Sequence, residues 1–369
     1  MIRLSKSTIT DDEKRAVMGV LDREYLGMGD EVHQFEQKLS EFFGRPAICV
    51  VNGTASLHLA CQAVGLKSGD EVLVQSLTYI ASFQAISATG ARPVSCDIDH
   101  NSLTFNWRDA EKRLTENTKA IMPVHYAGGV GDIEGIYSFA KHNGLRVIED
   151  AAHAFGSTHN GIRVGGFGDV ACFSFDGIKN ITSGEGGCIV TDDISVIEKV
   201  RDARLLGVEH DTSRRYAGER SWEFDVSAQG WRYHMSNIMA AIGMEQFKRF
   251  PVLMQKRQLL ARRYDKLLAA NSAITFIKHD YNNIVPHIYV VRVKGLIDRE
   301  ALRAAMHDVG IQTGVHYKPN HLLSMYNTLY VPSLGVTESI YPTLITLPLH
   351  ADMSVSDVDF VCDKLCSFI

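Results

Sequence analysis

The segment from Cys172 to Gly187 reads as a short apolar strand, a tight polar loop with a single lysine, Lys179, and a glycine-rich turn into a second strand at Cys188–Thr191. A lysine at the mouth of a buried strand is partly desolvated. Desolvation lowers the amine pKa and frees its lone pair to attack a carbonyl, so Lys179 is a candidate Schiff-base former. The competing reading is a solvated loop lysine. Asn52-Gly53-Thr54-Ala55-Ser56 joins a strand to a helix. There the N–H groups of Thr54, Ala55 and Ser56 and two hydroxyls would stand free at the positive end of the helix dipole, which is a phosphate site by physics. A plain N-cap is the alternative.

Val147-Ile148-Glu149-Asp150-Ala151-Ala152-His153 ends a buried strand with acids. A carboxylate at the C-terminal end of a parallel strand points into the crevice where ligands bind. If Asp150 is buried it needs a cationic partner, and a protonated pyridine nitrogen would serve; otherwise it caps the next helix. His153 would stack on such a ring, bond its phenolic oxygen, or be structural. Tyr79 follows another strand, where it would lie against the opposite ring face or pack in the core. Gly128 and Gly129, in Pro123-Val124-His125-Tyr126-Ala127-Gly128-Gly129, would let backbone approach a ligand. Gly166-Phe167-Gly168-Asp169-Val170-Ala171 fits a relaxed dinucleotide pattern. It precedes a strand, however, so no helix N-terminus is there for a pyrophosphate. His316 and His321 lack metal-ligand companions, and no metal is expected.

The elements that must position these groups alternate between strand and helix. Strands are predicted at 47–51, 71–74, 92–96, 120–124 and 146–148, with helices over 54–64, 79–88 and 133–142. This is an α/β pattern with a mostly parallel sheet covered on both faces. Thr10-Asp11-Asp12-Glu13 starts a helix predicted to reach Tyr25 and to end at Gly27 and Gly29. After about residue 235 the pattern changes: a long helical stretch from Ile238 towards Ala270, interrupted at Pro251, then a strand at 289–293 and helices at 298–309 and 355–368. The reading is a large α/β domain over 25–245 and a smaller α+β domain over 246–369, with the N-terminal helix, 1–24, packed beside it.

The chain has 369 residues, 45% of them hydrophobic and 22% charged, enough to build a large core. The formal net charge of -5 and the absence of basic blocks argue against nucleic acid. The N-terminal residues carry no signal-peptide pattern, and no stretch approaches a membrane span. The seven cysteines sit mostly inside apolar patterns and read as reduced core thiols of a cytosolic protein.

A phosphate-binding helix start, an acid for a pyridinium nitrogen and a later lysine, in that order at strand ends, are what a pyridoxal phosphate enzyme needs. With Glu149-Asp150-Ala151-Ala152-His153-Ala154, Phe173-Ser174-Phe175 leading to Lys179-Asn180, and Gly184-Glu185-Gly186-Gly187, the chain resembles the DegT/DnrJ/StrS aminotransferases of nucleotide-linked keto sugars. Pro123-Val124-His125-Tyr126-Ala127-Gly128 and Thr313-Gly314-Val315-His316-Tyr317 resemble the branch that aminates a 4-keto sugar.

The resemblance implies a fold type I architecture, pyridoxal 5'-phosphate as cofactor, L-glutamate as donor, and a homodimer with shared active sites. It also implies a cytoplasmic place in O-antigen or other surface polysaccharide synthesis. Carried over by position, Lys179 and Asp150 are the catalytic pair, with Thr54, Ala55, Tyr79, His153 and Ser174 around the cofactor. Glu185, His316 and Tyr317 fall on the substrate side. One stretch departs: where the family commonly has an asparagine reaching the partner's phosphate, this chain has Gly230-Trp231-Arg232-Tyr233-His234-Met235, leaving Arg232 and His234 as replacements. Rival expectations are amination at C-3, a pyridoxamine-dependent dehydratase (which has histidine in place of the lysine), a non-catalytic sugar-responsive protein, and a nicotinamide oxidoreductase.

Overall fold

The structure is a computed structural model and describes residues 1–219, 222–327 and 333–369. Helix α1 (Asp11–Asp22) opens with a capping box between Thr10 and Glu13. It stops three residues before the predicted Tyr25. A second helix, α2 (Asp30–Phe43), follows, which the sequence reading missed. Its buried face, Val32, Phe35, Leu39 and Phe43, has helical spacing. Gly29 is its N-cap rather than the end of α1.

The strands and helices then come in the order β1 (Ala47–Val50), α3 (Gly53–Ala63), β2 (Glu71–Gln75), α4 (Ile80–Ser87), β3 (Arg92–Cys96), α5 (Trp107–Glu111), β4 (Thr118–Met122), α6 (Ile133–His142) and β5 (Arg146–Asp150). A small hairpin, β6 (Thr158–His159) and β7 (Ile162–Arg163), precedes β8 (Val170–Ser174) and β9 (Gly187–Val190). The large sheet has the order β1-β9-β8-β5-β4-β2-β3. Only β9 runs against the rest, pairing antiparallel with both β1 and β8. The C-terminal ends of the other six strands therefore share one edge, with β5 at the centre. One face is covered by α2, α6 and the start of the long helix, through Phe35, Ile136 and Phe139 among others. The other is covered by α3, α4 and α7 (Ile194–Ala203), through Leu57, Phe83 and Val200. Six of the seven cysteines are buried, as the apolar patterns around them imply.

After the short helix α8 (Asp211–Tyr216), helix α9 runs unbroken from Asn237 to Leu268. The predicted interruption at Pro251 does not occur. Proline removes one ladder bond, but Phe250 and Leu253 on either side are buried, and their packing keeps the helix continuous through it. A second, antiparallel sheet has the order β10 (Ile274–Phe276), β11 (Tyr289–Val293), β12 (Leu344–Leu347). The flanking strands β10 and β12 were not foreseen. This sheet packs with α9, α10 (Arg299–Asp308) and α12 (Val355–Phe368) around Tyr264, Val291 and Leu365; α11 (Gly335–Ile340) lies between. No described helix is long and apolar enough to cross a membrane.

Candidate active site

Asp150 ends β5, the central strand, and is 5% exposed. Successive strand residues face opposite sides of a sheet, and here that separates two acids. Glu149 turns towards α6, where it accepts from the Tyr137 hydroxyl and pairs with His125 Nε2 at 2.6 Å. Asp150 turns towards α4, where the Ser82 hydroxyl donates to Oδ2 at 2.7 Å and the Ala152 N–H to Oδ1 at 3.2 Å. These two neutral donors hold the carboxylate in place without supplying a positive charge.

Lys179 sits in the loop between β8 and β9, partly buried. The surface-lysine reading is thereby set aside. Its Nζ lies 3.4 Å from His287 Nε2. Burial pulls its pKa from 10.5 down to about 8, against the opposing pull of the Asp150 and Asp176 carboxylates. His153 is buried with its ring 4.5 Å from that of His287, centre to centre. The Ala127 N–H donates to His153 Nδ1 at 3.4 Å, which places the proton on Nε2, 3.0 Å from the Tyr317 hydroxyl. Burial, with the Lys179 charge nearby, holds both imidazoles well below the usual histidine range. His316, bonded to Thr346 through Nδ1 at 2.9 Å, is pushed down to about 4 for the same reasons. Three neutral imidazoles thus surround one amine.

Tyr79 is 58% exposed, so it is not a core residue; its ring stands 5.5 Å from that of Tyr317. Glu185 is exposed on the loop, its carboxyl raised by burial and then by Asp176. Ser174 ends β8 and packs against Gly53 at the start of α3. That helix start is less open than predicted. The Ala55 N–H is taken by the Asn52 carboxamide at 2.8 Å, the Ser56 N–H by the Asn52 carbonyl, and the Ser56 hydroxyl turns inward to the Gly53 carbonyl. Asn52 is an N-cap in its own right, and Thr54 is the residue that keeps its side chain exposed at the helix mouth.

Arg232 and His234 are not brought to Lys179 within this chain. Their segment bridges Leu205 and Val50, outside edge strand β1, three strands away from β5. Gly128 and Gly129 admit protein rather than a ligand. A Cβ on Gly128 would fall 2.6 Å from the Val285 carbonyl oxygen, and one on Gly129 would fall 2.8 Å from the His279 ring. The Gly166–Ala171 pattern likewise serves packing. Gly168 has φ +81°, and a Cβ there would lie 2.0 Å from the Tyr137 hydroxyl and 2.5 Å from Glu149. Gly168→Ala is therefore expected to destabilise the protein by about 2–4 kcal/mol, from combined backbone strain and overpacking. Denaturant unfolding reads this directly, and a wild-type midpoint would refute it.

Sequence reasoning missed two residues here. His287 precedes β11 and has no motif around it, and Arg257 sits among apolar positions of α9. Only the fold brings them to Lys179.

The residues present fit pyridoxal phosphate: an amine of lowered pKa, a buried carboxylate that forms no ion pair among the described residues, and a helix N-terminus with exposed Thr54 beside Ser174. Comparison with known proteins agrees. Residues 7–366 match the family model for the DegT/DnrJ/EryC1/StrS aminotransferases. The aminotransferase TlmJ of Streptoalloteichus hindustanus is 31% identical, with a TM-score of 0.92 over 100% of this chain and 98% of that one. PseC of Helicobacter pylori, an aminotransferase involved in pseudoaminic acid biosynthesis, is 28% identical, with a TM-score of 0.92 over 99% and 98%. A candidate sugar aminotransferase of Streptococcus pneumoniae, Spr1654, solved in its PMP form, is 30% identical, with a TM-score of 0.92 over 100% and 98%. The chain is a member of the DegT/DnrJ/EryC1/StrS family, the sugar aminotransferases of fold type I that work with pyridoxal phosphate.

Proposed function

We propose that the protein moves the amino group of L-glutamate to C-4 of a nucleotide-linked keto-6-deoxy sugar by a ping-pong route. The observation that carries the reading is the Lys179 amine, in contact with His287, its pKa drawn down to about 8 by burial while it feels the field of the buried Asp150 carboxylate. Support for C-4 comes from the two segments that resemble the 4-keto-sugar branch. They touch each other, the Tyr126 hydroxyl donating to the His316 carbonyl beside the His153–Tyr317 bond.

Pyridoxal phosphate, when bound, supplies a carbonyl for amine exchange and a ring that accepts electrons. Thr54, Ser174 and the dipole of α3 would hold its phosphate, with Ala55 joining once the Asn52 carboxamide turns away. Asp150 would keep a proton on the ring nitrogen, and His153 and Tyr79 would flank the ring. Free Lys179 Nζ would take a proton from the donor's α-carbon and return one at the sugar carbon that receives nitrogen. Glu185, His316 and Tyr317 would face the sugar.

The proposal includes a homodimer. Trp222, Phe224 and Val226 are exposed large apolar side chains in the segment leading to Arg232 and His234, a surface that a second copy would cover. It also includes the division into units at 25–245 and 246–369, and a cytoplasmic role in surface polysaccharide synthesis.

The test is the absorption spectrum of protein with cofactor, before and after L-glutamate. The long-wavelength band of lysine-bound cofactor should form and then give way to the pyridoxamine band; a panel of nucleotide keto sugars follows, with the product's amine position read by NMR. A band that ignores glutamate removes the donor assignment. No band at all removes the Lys179 reading and favours a binding protein, and nitrogen at C-3 removes the positional assignment.

A further inference from the structure

Arg257 lies midway along α9 with its side chain 4% exposed. Its guanidinium spends its bonds on backbone carbonyls. Nη1 donates to His287 O and to Leu349 O, each at 3.1 Å, and Nη2 to Ile178 O at 3.4 Å. No carboxylate pairs with it among the described residues, and burial alone pulls its pKa down to about 10, so it stays charged at neutral pH. A buried cation without a countercharge is costly. Nearby buried positions on the same helix, Leu253 and Leu260, are filled by apolar side chains, so packing does not call for an arginine.

The three carbonyls have a pattern. Ile178 immediately precedes Lys179. His287 is the residue whose ring meets the Lys179 amine. Leu349 follows β12, the strand that holds His316 through Thr346. One rigid, planar fork therefore spans the segment that carries the amine, the segment that carries His287 and the segment whose strand bonds His316, a task lysine's single ammonium cannot do.

We propose that Arg257 is a positioning residue, clamping the Lys179 loop to the His287 segment so that amine and imidazole are held in register. The proposal rests on the Lys179 reading above. The charge acts in the same direction as the geometry, since a cation beside Lys179 disfavours its protonated form.

Two variants test it. Arg257→Lys keeps the charge but cannot span the carbonyls; Arg257→Gln keeps donors but no charge. In the cofactor-free chain, acetylation of Lys179 by acetic anhydride is followed by mass spectrometry from about pH 6 to 10, with exposed Lys248 as internal standard. The wild-type profile should have its midpoint near 8. Both variants should move that midpoint or lower the limiting rate by about tenfold, while Lys248 is unchanged. In the loaded enzyme kcat should fall by about a hundredfold, the scale of an ångström-sized misplacement, with KM for glutamate nearly constant. A residue that only holds the fold together would lower the melting temperature and leave Lys179 labelling and kcat at wild-type values in the folded protein; that result overturns the clamp. Should the glutamine variant not fold, the lysine variant decides alone. A wild-type protein that forms no cofactor band overturns the Lys179 reading instead, so the two failures are distinguishable.

Discussion

Lys179→Ala should leave a folded protein with no measurable transamination. Among the described residues, Lys179 Nζ is the amine that joins a lowered pKa to contact with the imidazole cluster, and nothing beside it could replace it as nucleophile. With its pKa at about 8, roughly a tenth of the amine is free at pH 7. Cofactor attachment should therefore quicken from pH 7 to 8 and level off above, whereas a solvated lysine would still be gaining at pH 9. The same shift has a stability signature. The folded chain holds this proton less well than the unfolded chain, so between about pH 8 and 10.5 the unfolded state binds more protons and stability rises with pH. Below pH 8 the buried charge costs on the order of 3 kcal/mol. Lys179→Met keeps the apolar stem and removes the charge. It should raise the melting temperature at pH 7 and flatten the alkaline rise. A fully active alanine variant would end the assignment.

What the sequence made legible follows from local physics. The strands that lead to Lys179, Asp150, Thr54 and Tyr79 are short apolar runs with turns after them, and all were readable. So was the capping box of α1, because capping is written in four neighbouring residues. What was lost depends on distant partners. Helix α2 hid behind Gly27 and Gly29, although the spacing of Val32, Phe35, Leu39 and Phe43 was there to be read. Pro251 looked like a break because burial of Phe250 and Leu253 is a tertiary fact. Ala55 was read as a free donor with a plain N-cap as the alternative, and the alternative holds for it: the Asn52 side chain reaches forward three residues to take its N–H. Gly128 and Gly129 looked like ligand glycines, yet their missing Cβ atoms make room for Val285 and His279. His287 and Arg257 could not be found locally at all: each is 78 or more residues from Lys179 and is joined to its loop only by the fold.

Asp150→Asn should separate two effects that a simple loss of activity would merge. The carboxamide is nearly isosteric: its oxygen can still accept from the Ala152 N–H, and the Ser82 hydroxyl can accept from its amide, so the fold is expected to stand. The charge is gone, and with it the group proposed to keep the ring nitrogen protonated. The rate should fall on the order of a hundred- to a thousandfold, the loss seen when one charge-stabilising group is removed from a dry site. The lysine should respond in the opposite sense. The Asp150 carboxylate favours the protonated Lys179 amine, so its removal lets burial pull that pKa further below about 8. The variant would then have a more readily free amine and a slower reaction. Labelling of Lys179 in the cofactor-free chain reads the first, and single-turnover kinetics with glutamate read the second. A slow variant whose Lys179 profile is unmoved would mean that Asp150 acts on the ring without being felt by the amine, and a variant at wild-type rate would mean that the ring nitrogen needs no carboxylate here.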